Sequence, residues 1–194
     1  MKTDVITITN DGGQMDNALM QAEKMAVYKE LSPKSALHLR LLTEEMLGMM
    51  RAITGPAEGS FWIEDVDDSF QLHLKMETHA DHAQREKLLS ASTSGKNEAA
   101  RGIMGRIRTF FDPLDDYYMV PMVPDMIPDG VSTDLFWSMR AYQEMVQAQL
   151  EQQQEGAAEA WDELEKSVVS HVADDVKVSI RDRDVEMVIF KKMR

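Results

Sequence analysis

Phe61-Trp62-Ile63-Glu64-Asp65-Val66-Asp67-Asp68-Ser69-Phe70-Gln71-Leu72-His73-Leu74-Lys75-Met76 holds two β-prone runs around an acidic turn. In the second run Phe70, Leu72, Leu74 and Met76 alternate with polar residues, the period of a strand with one buried face. Asp65 to Ser69 supplies the turn, so the stretch predicts an antiparallel hairpin. A second alternating pair closes the chain: Val176, Val178 and Ile180, then Asp182-Arg183-Asp184, then Val185, Met187 and Ile189. Strand pairs separated by helical patterns predict an α+β class, a two-layer α/β sandwich with helices on one sheet face.

Upstream, Val5, Ile6 and Ile8 read as a short edge strand ended by Asn10-Asp11-Gly12-Gly13. Asp16 to Glu30 is helix-prone, with Ala18, Leu19, Ala22, Met25, Ala26 and Val27 on a broad face. Ser32 can cap the next helix and Pro33 suits its first position. Leu39, Leu42, Met46, Met49 and Ile53 then recur at helical spacing until Gly55-Pro56. Downstream, Asp81 to Leu89 is a short helical segment, and Ser90 to Gly95 is a loop of small residues suited to a lid. Asn97 can cap a helix that runs to Pro113.

Met119-Val120-Pro121, Met122-Val123-Pro124 and Met126-Ile127-Pro128 are near-repeats whose prolines forbid helix. Two helices are expected after them, Thr133 to about Gln154 and Ala157 to about Val172, with Gly156 between. Trp137 and Trp161 anchor them to a core. The expectation is a single domain over residues 1–194, with 113–173 as a Met/Pro-rich and helical insertion before the last hairpin.

Composition narrows the function. The chain has 194 residues, 43% of them hydrophobic, enough to fill a core. Its 34 acidic against 21 basic residues leave a net charge of −13, which repels nucleic acid and anionic membranes. With no cysteine, disulfides, thiolate metal sites and a cysteine nucleophile are excluded. Met1 to Asn10 has no leader pattern and no long apolar run occurs, so a cytoplasmic protein is expected. The 16 methionines suit an adaptable core or contact surface.

Chemistry-bearing residues gather in three places. Ala100-Arg101-Gly102-Ile103 followed by Gly105-Arg106-Ile107-Arg108 reads as a glycine-marked helix start with positive charge, favourable to phosphate. Lys96, Arg101, Arg106 and Arg108 could equally be a solvated face paired with surplus acids. Glu44 and Glu45 sit on the long helix, where the bland reading is an exposed glutamate. His79-Ala80-Asp81-His82 fits no zinc spacing, and Gly95-Lys96 lacks the rest of a P-loop.

The order of these parts resembles the GHKL ATP-binding fold of gyrase-type ATPases and histidine kinases, most closely its anti-sigma-factor serine kinase branch. Thr43 to Ala52 is similar to the helix in which a glutamate precedes a magnesium-binding asparagine by four positions. Leu72 to Ala80 is similar to the strand that ends in an adenine-binding aspartate and a glycine. Ala100 to Ile103 is similar to the second glycine box, and the resemblance covers about residues 32 to 112. It implies ATP or ADP as ligand, Glu45 as general base, and Met49, Thr78, Ala80, Lys96, Arg101, Gly102 and Ile103 as pocket positions.

Several of those positions depart from the pattern. Four residues beyond Glu45 stands Met49, and a thioether is a poor ligand for magnesium. Thr78 replaces the adenine-reading carboxylate, Ala80 the following glycine, and Ala100 the first glycine of the box. The resulting expectation is a regulatory protein with a degenerate ATPase fold, without a metal ligand set, acting on a protein partner or as a homodimer. The alternative is a working ATP-binding protein or serine kinase with unorthodox ligands.

Overall fold

The computed structural model describes residues 1–9, 15–54, 57–67, 69–77, 135–181 and 184–193. Ile6–Thr9 forms β1, Glu58–Val66 β2, Ser69–Glu77 β3, Leu135–Ser138 β4, Asp175–Arg181 β5 and Asp184–Lys192 β6. The helices are α1 (Met15–Tyr28), α2 (Pro33–Thr54), α3 (Met139–Glu151), α4 (Ala157–Glu165) and α5 (Val168–Val172). All strand pairings are antiparallel in a six-stranded sheet of order β1-β2-β3-β6-β5-β4. The class is therefore α+β, as the two alternating pairs require.

Alternation explains the layering. Phe61 and Ile63 on β2, Phe70, Leu72, Leu74 and Met76 on β3, Val176 and Val178 on β5, and Val185, Met187 and Ile189 on β6 are all buried. These residues share one face because successive strand side chains point to opposite sides. Leu39, Leu42, Met46 and Met50 of α2 and Ala18, Ala22 and Met25 of α1 complete the same core. Burying a leucine or phenylalanine side chain contributes about 1.5–3 kcal/mol, so this one cluster accounts for the fold's main stabilisation. The Ser35 amide donates to the Ser32 hydroxyl at 3.2 Å, the cap expected ahead of Pro33.

The β2–β3 register brings Gly59 opposite Met76. A Cβ on Gly59 would lie 2.3 Å from the Lys75 carbonyl oxygen, so only glycine lets the two backbones approach this closely. Gly156, with φ of 81°, separates α3 from α4 as expected.

The insertion departs from its sequence reading. Leu135–Ser138 pairs with β5 as a strand, and helix begins only at Met139. Ser138 stops the strand and starts the helix: its hydroxyl accepts from the Ala141 amide at 3.3 Å and donates to Asp175 at 3.1 Å. Helical periodicity downstream masked these four residues, which an open sheet edge draws into β structure. Trp137 is accordingly a buried strand residue, its ring 6.2 Å from that of Tyr142. The expected helix of residues 157–172 is broken, with Ser167 separating α4 from α5. The segments expected at 81–89, 90–95 and 97–113 and the Met-Pro repeats lie outside the described residues.

The other sheet face carries Trp62 stacked on His73, with ring centroids 4.7 Å apart and planes 7° apart. The Trp62 indole N–H donates to Glu64 at 2.8 Å, and Lys2 lies over the indole ring at 4.6 Å while pairing with Glu64 at 3.1 Å. The indole bond, more than the lysine, holds the Glu64 carboxyl below its usual range. Among the described residues no helix is long and apolar enough to cross a membrane.

Candidate functional site

On α2 the core stripe runs through Leu39, Leu42, Met46 and Met50, and the two flanks of the helix differ. One flank meets α1, where Arg40 pairs with Glu23. The other presents Glu45 and Met49, one turn apart and therefore neighbours on the helix surface. Glu44 is exposed and Glu45 half-buried. Burial pushes the Glu45 carboxyl above its ordinary value, and the neighbouring Glu44 charge pushes it further the same way. Among the described residues Glu45 has neither an ion-pair nor a hydrogen-bond partner. Such a carboxylate can accept a proton, which is what a general base requires.

His38 lies two turns before Glu45 on that flank. Burial lowers its readiness to protonate, and the positive charges of Lys191 and Lys34 add to the effect. The helix that carries it packs against both β3 and β6.

Met49 is 5% exposed, part of the core rather than a ligand aimed outward. Gly48 has no side chain to offer. The Thr43 hydroxyl, also buried, donates to the Leu39 carbonyl at 2.9 Å, and that of Thr54 to the Met50 carbonyl at 3.0 Å. Met49 and Gly48 leave α2 without a carboxamide oxygen four positions after either glutamate. This donor set does not fit magnesium, which demands oxygen ligands. Among the described residues there is no group of three or more histidine or carboxylate side chains able to hold a metal.

Of the site residues named from sequence, the general-base candidate Glu45 and the pocket position Met49 are the two described, and they share one flank. Thr78, Ala80, Lys96, Arg101, Gly102 and Ile103 lie outside the described residues. The end of β3 does reach α2: the Thr54 hydroxyl lies 4.0 Å from the Met76 sulfur, one residue before β3 ends at Glu77.

A concavity that sequence reasoning missed lies at the β1 edge of the sheet. Between β1 and α1 a groove of about 630 Å³ is walled by Ile6, Met20, Met25 and Tyr28, with Asp4 and Lys24 in its lining. Met20 is 45% and Tyr28 69% exposed, large apolar surface on a helix whose other face is core. The available signal was the spacing of Met20, Lys24 and Tyr28 on one face of α1, beside an edge strand without charge. Gln21 ties the two walls together through its side-chain amide, which donates to the Asp4 carbonyl at 2.8 Å.

No family model, curated protein or solved structure matches this chain.

Proposed function

We propose that this chain is a regulatory protein built on a histidine-kinase-like ATPase scaffold of GHKL type, acting through protein–protein binding with weak or lost ATP binding. The observation that carries this reading is Met49, buried in the core where a magnesium-binding carboxamide would project. The position has been given over to packing, and a metal-bridged triphosphate has no anchor on that helix. The order of elements supports the scaffold: a long helix followed by a hairpin, with the C-terminal hairpin completing the sheet beside β3.

A second reading rests on Glu45. Its half-buried, unpaired carboxyl with a raised proton affinity is suited to orient a hydroxyl or water, as a kinase or ATPase with unorthodox ligands would need. Isothermal titration of the full chain with ATP and ADP, with and without magnesium, separates the two. The regulatory reading expects no magnesium-dependent binding tighter than about 100 μM, roughly −5.5 kcal/mol. Magnesium-dependent binding below that concentration overturns it in favour of the second.

A further inference from the structure

We infer that the groove between β1 and α1 is a docking site for an extended peptide segment of another protein, which adds as a strand to β1 and ends in a carboxylate facing Lys24. This deepens the proposed function by naming the surface and the chemistry of the partner.

Three observations converge. Among the described residues β1 is the outermost strand, paired with β2. Its sequence Ile-Thr-Ile-Thr has no charge or proline, the devices by which edge strands are usually guarded against pairing. Beside it lies the groove, with room for side chains of an added strand, and an open edge next to such a groove is the combination used in strand-addition recognition. Ile6, Met20, Met25 and Tyr28 give its lining an apolar share.

Charge selects the occupant. Among the described residues the Lys24 ammonium and the Asp4 carboxylate have no ion-pair partner, although both line the groove. Gln21 fixes the level of Asp4 along α1, and Lys24 lies about 4.5 Å further along the helix, toward Tyr28. A strand added antiparallel, as all the pairings among the described residues are, brings its C-terminal end beside Lys24. An acidic group there finds a cation. A second copy pairing edge to edge would carry its own Asp4 to the far end of the strand, away from Lys24. Two chains of net charge −13 also repel each other.

The carboxylate could be a free C-terminus or an acidic side chain. The test uses an array of random seven-residue peptides, each made with a free C-terminal carboxylate and again with a C-terminal amide, probed with the full chain. The best binder is then labelled with fluorescein and titrated by anisotropy against wild type, Met20→Asp, Lys24→Glu and, as control, Leu37→Asp. Met20 and Leu37 are both exposed, so these variants keep the fold. The expected result is binding weakened at least tenfold by Met20→Asp and by Lys24→Glu and unchanged by Leu37→Asp. Loss on amidation assigns the C-terminus; retention with an enriched acidic residue assigns a side chain. Binders indifferent to both groove variants, no binder above the Met20→Asp background, or a wild-type dimer in sedimentation that Met20→Asp dissociates would each overturn the inference. Nucleotide titration reads a different region, so failure here and failure of the regulatory reading remain distinguishable.

Discussion

Replacing His73 with phenylalanine is expected to stabilise the protein, although the residue makes an extensive ring contact. Among the described residues neither buried ring nitrogen of His73 has a hydrogen-bond partner, and the side chain is only 13% exposed. The Glu186 carboxylate, 3.5 Å from Nδ1 and 39% exposed, is too distant for a normal hydrogen bond and compensates weakly. An unsatisfied buried polar group costs about 1–3 kcal/mol, while an exposed charge contact at this distance contributes well under 1 kcal/mol. Phenylalanine removes the orphaned nitrogens and keeps a flat ring against Trp62, whose parallel stack at 4.7 Å does not depend on them. His73→Phe should therefore raise unfolding free energy by about 1 kcal/mol, near 2–4 °C in Tm for a chain of this size. Urea titration followed by far-UV circular dichroism measures it, with His73→Ala as the comparison that loses the stack and falls in stability. A His73→Phe protein less stable than wild type by 1 kcal/mol or more would refute the reasoning, because the nitrogens would then have partners.

Gly59→Ala should destabilise by about 1–3 kcal/mol or more, since the added methyl meets the Lys75 carbonyl, a backbone atom that cannot swing away; urea unfolding with a loss under 0.5 kcal/mol would contradict it. Glu45 supplies a pH test. Its folded proton affinity is raised, so the folded chain holds that proton more tightly than the unfolded one, and stability falls as pH climbs from the ordinary glutamate value through the folded one. Glu45→Gln should thus stabilise at pH 7 and give no gain at pH values below the ordinary glutamate range, and equal effects at both would show that burial of Glu45 is not the cause.

The sheet was legible wherever alternation was strict. Phe70 to Met76 and Val185 to Ile189 bury every second residue, and that pattern has one reading. Leu135–Ser138 was not legible, because four residues give too short a period and the decisive partner, β5, lies some forty residues later. Ser167 hid for a similar reason: Trp161, Leu164, Val168 and Val172 keep helical spacing across a break that costs only one turn. At the candidate site, the sequence named Glu45 and Met49 as neighbours but could not tell that the thioether is enclosed, since burial depends on which flank meets the sheet. The groove escaped because Met20 and Tyr28 look like ordinary surface substitutions until β1 is placed alongside them.

The pairing of β3 with β6 joins residues 69–77 to residues 184–192, so the middle of the sheet closes last during synthesis. At roughly 5–20 residues per second, a ribosome needs about 5–20 s between finishing β3 and finishing β6. Throughout that interval β3 lacks its second hydrogen-bonding neighbour, and Leu72, Leu74 and Met76 lack their β6 partners Ile189, Met187 and Val185. Such high contact order slows folding and lengthens exposure to wrong associations. Until β6 arrives, the free edge of β3 is the part of the nascent sheet most open to pairing with another chain.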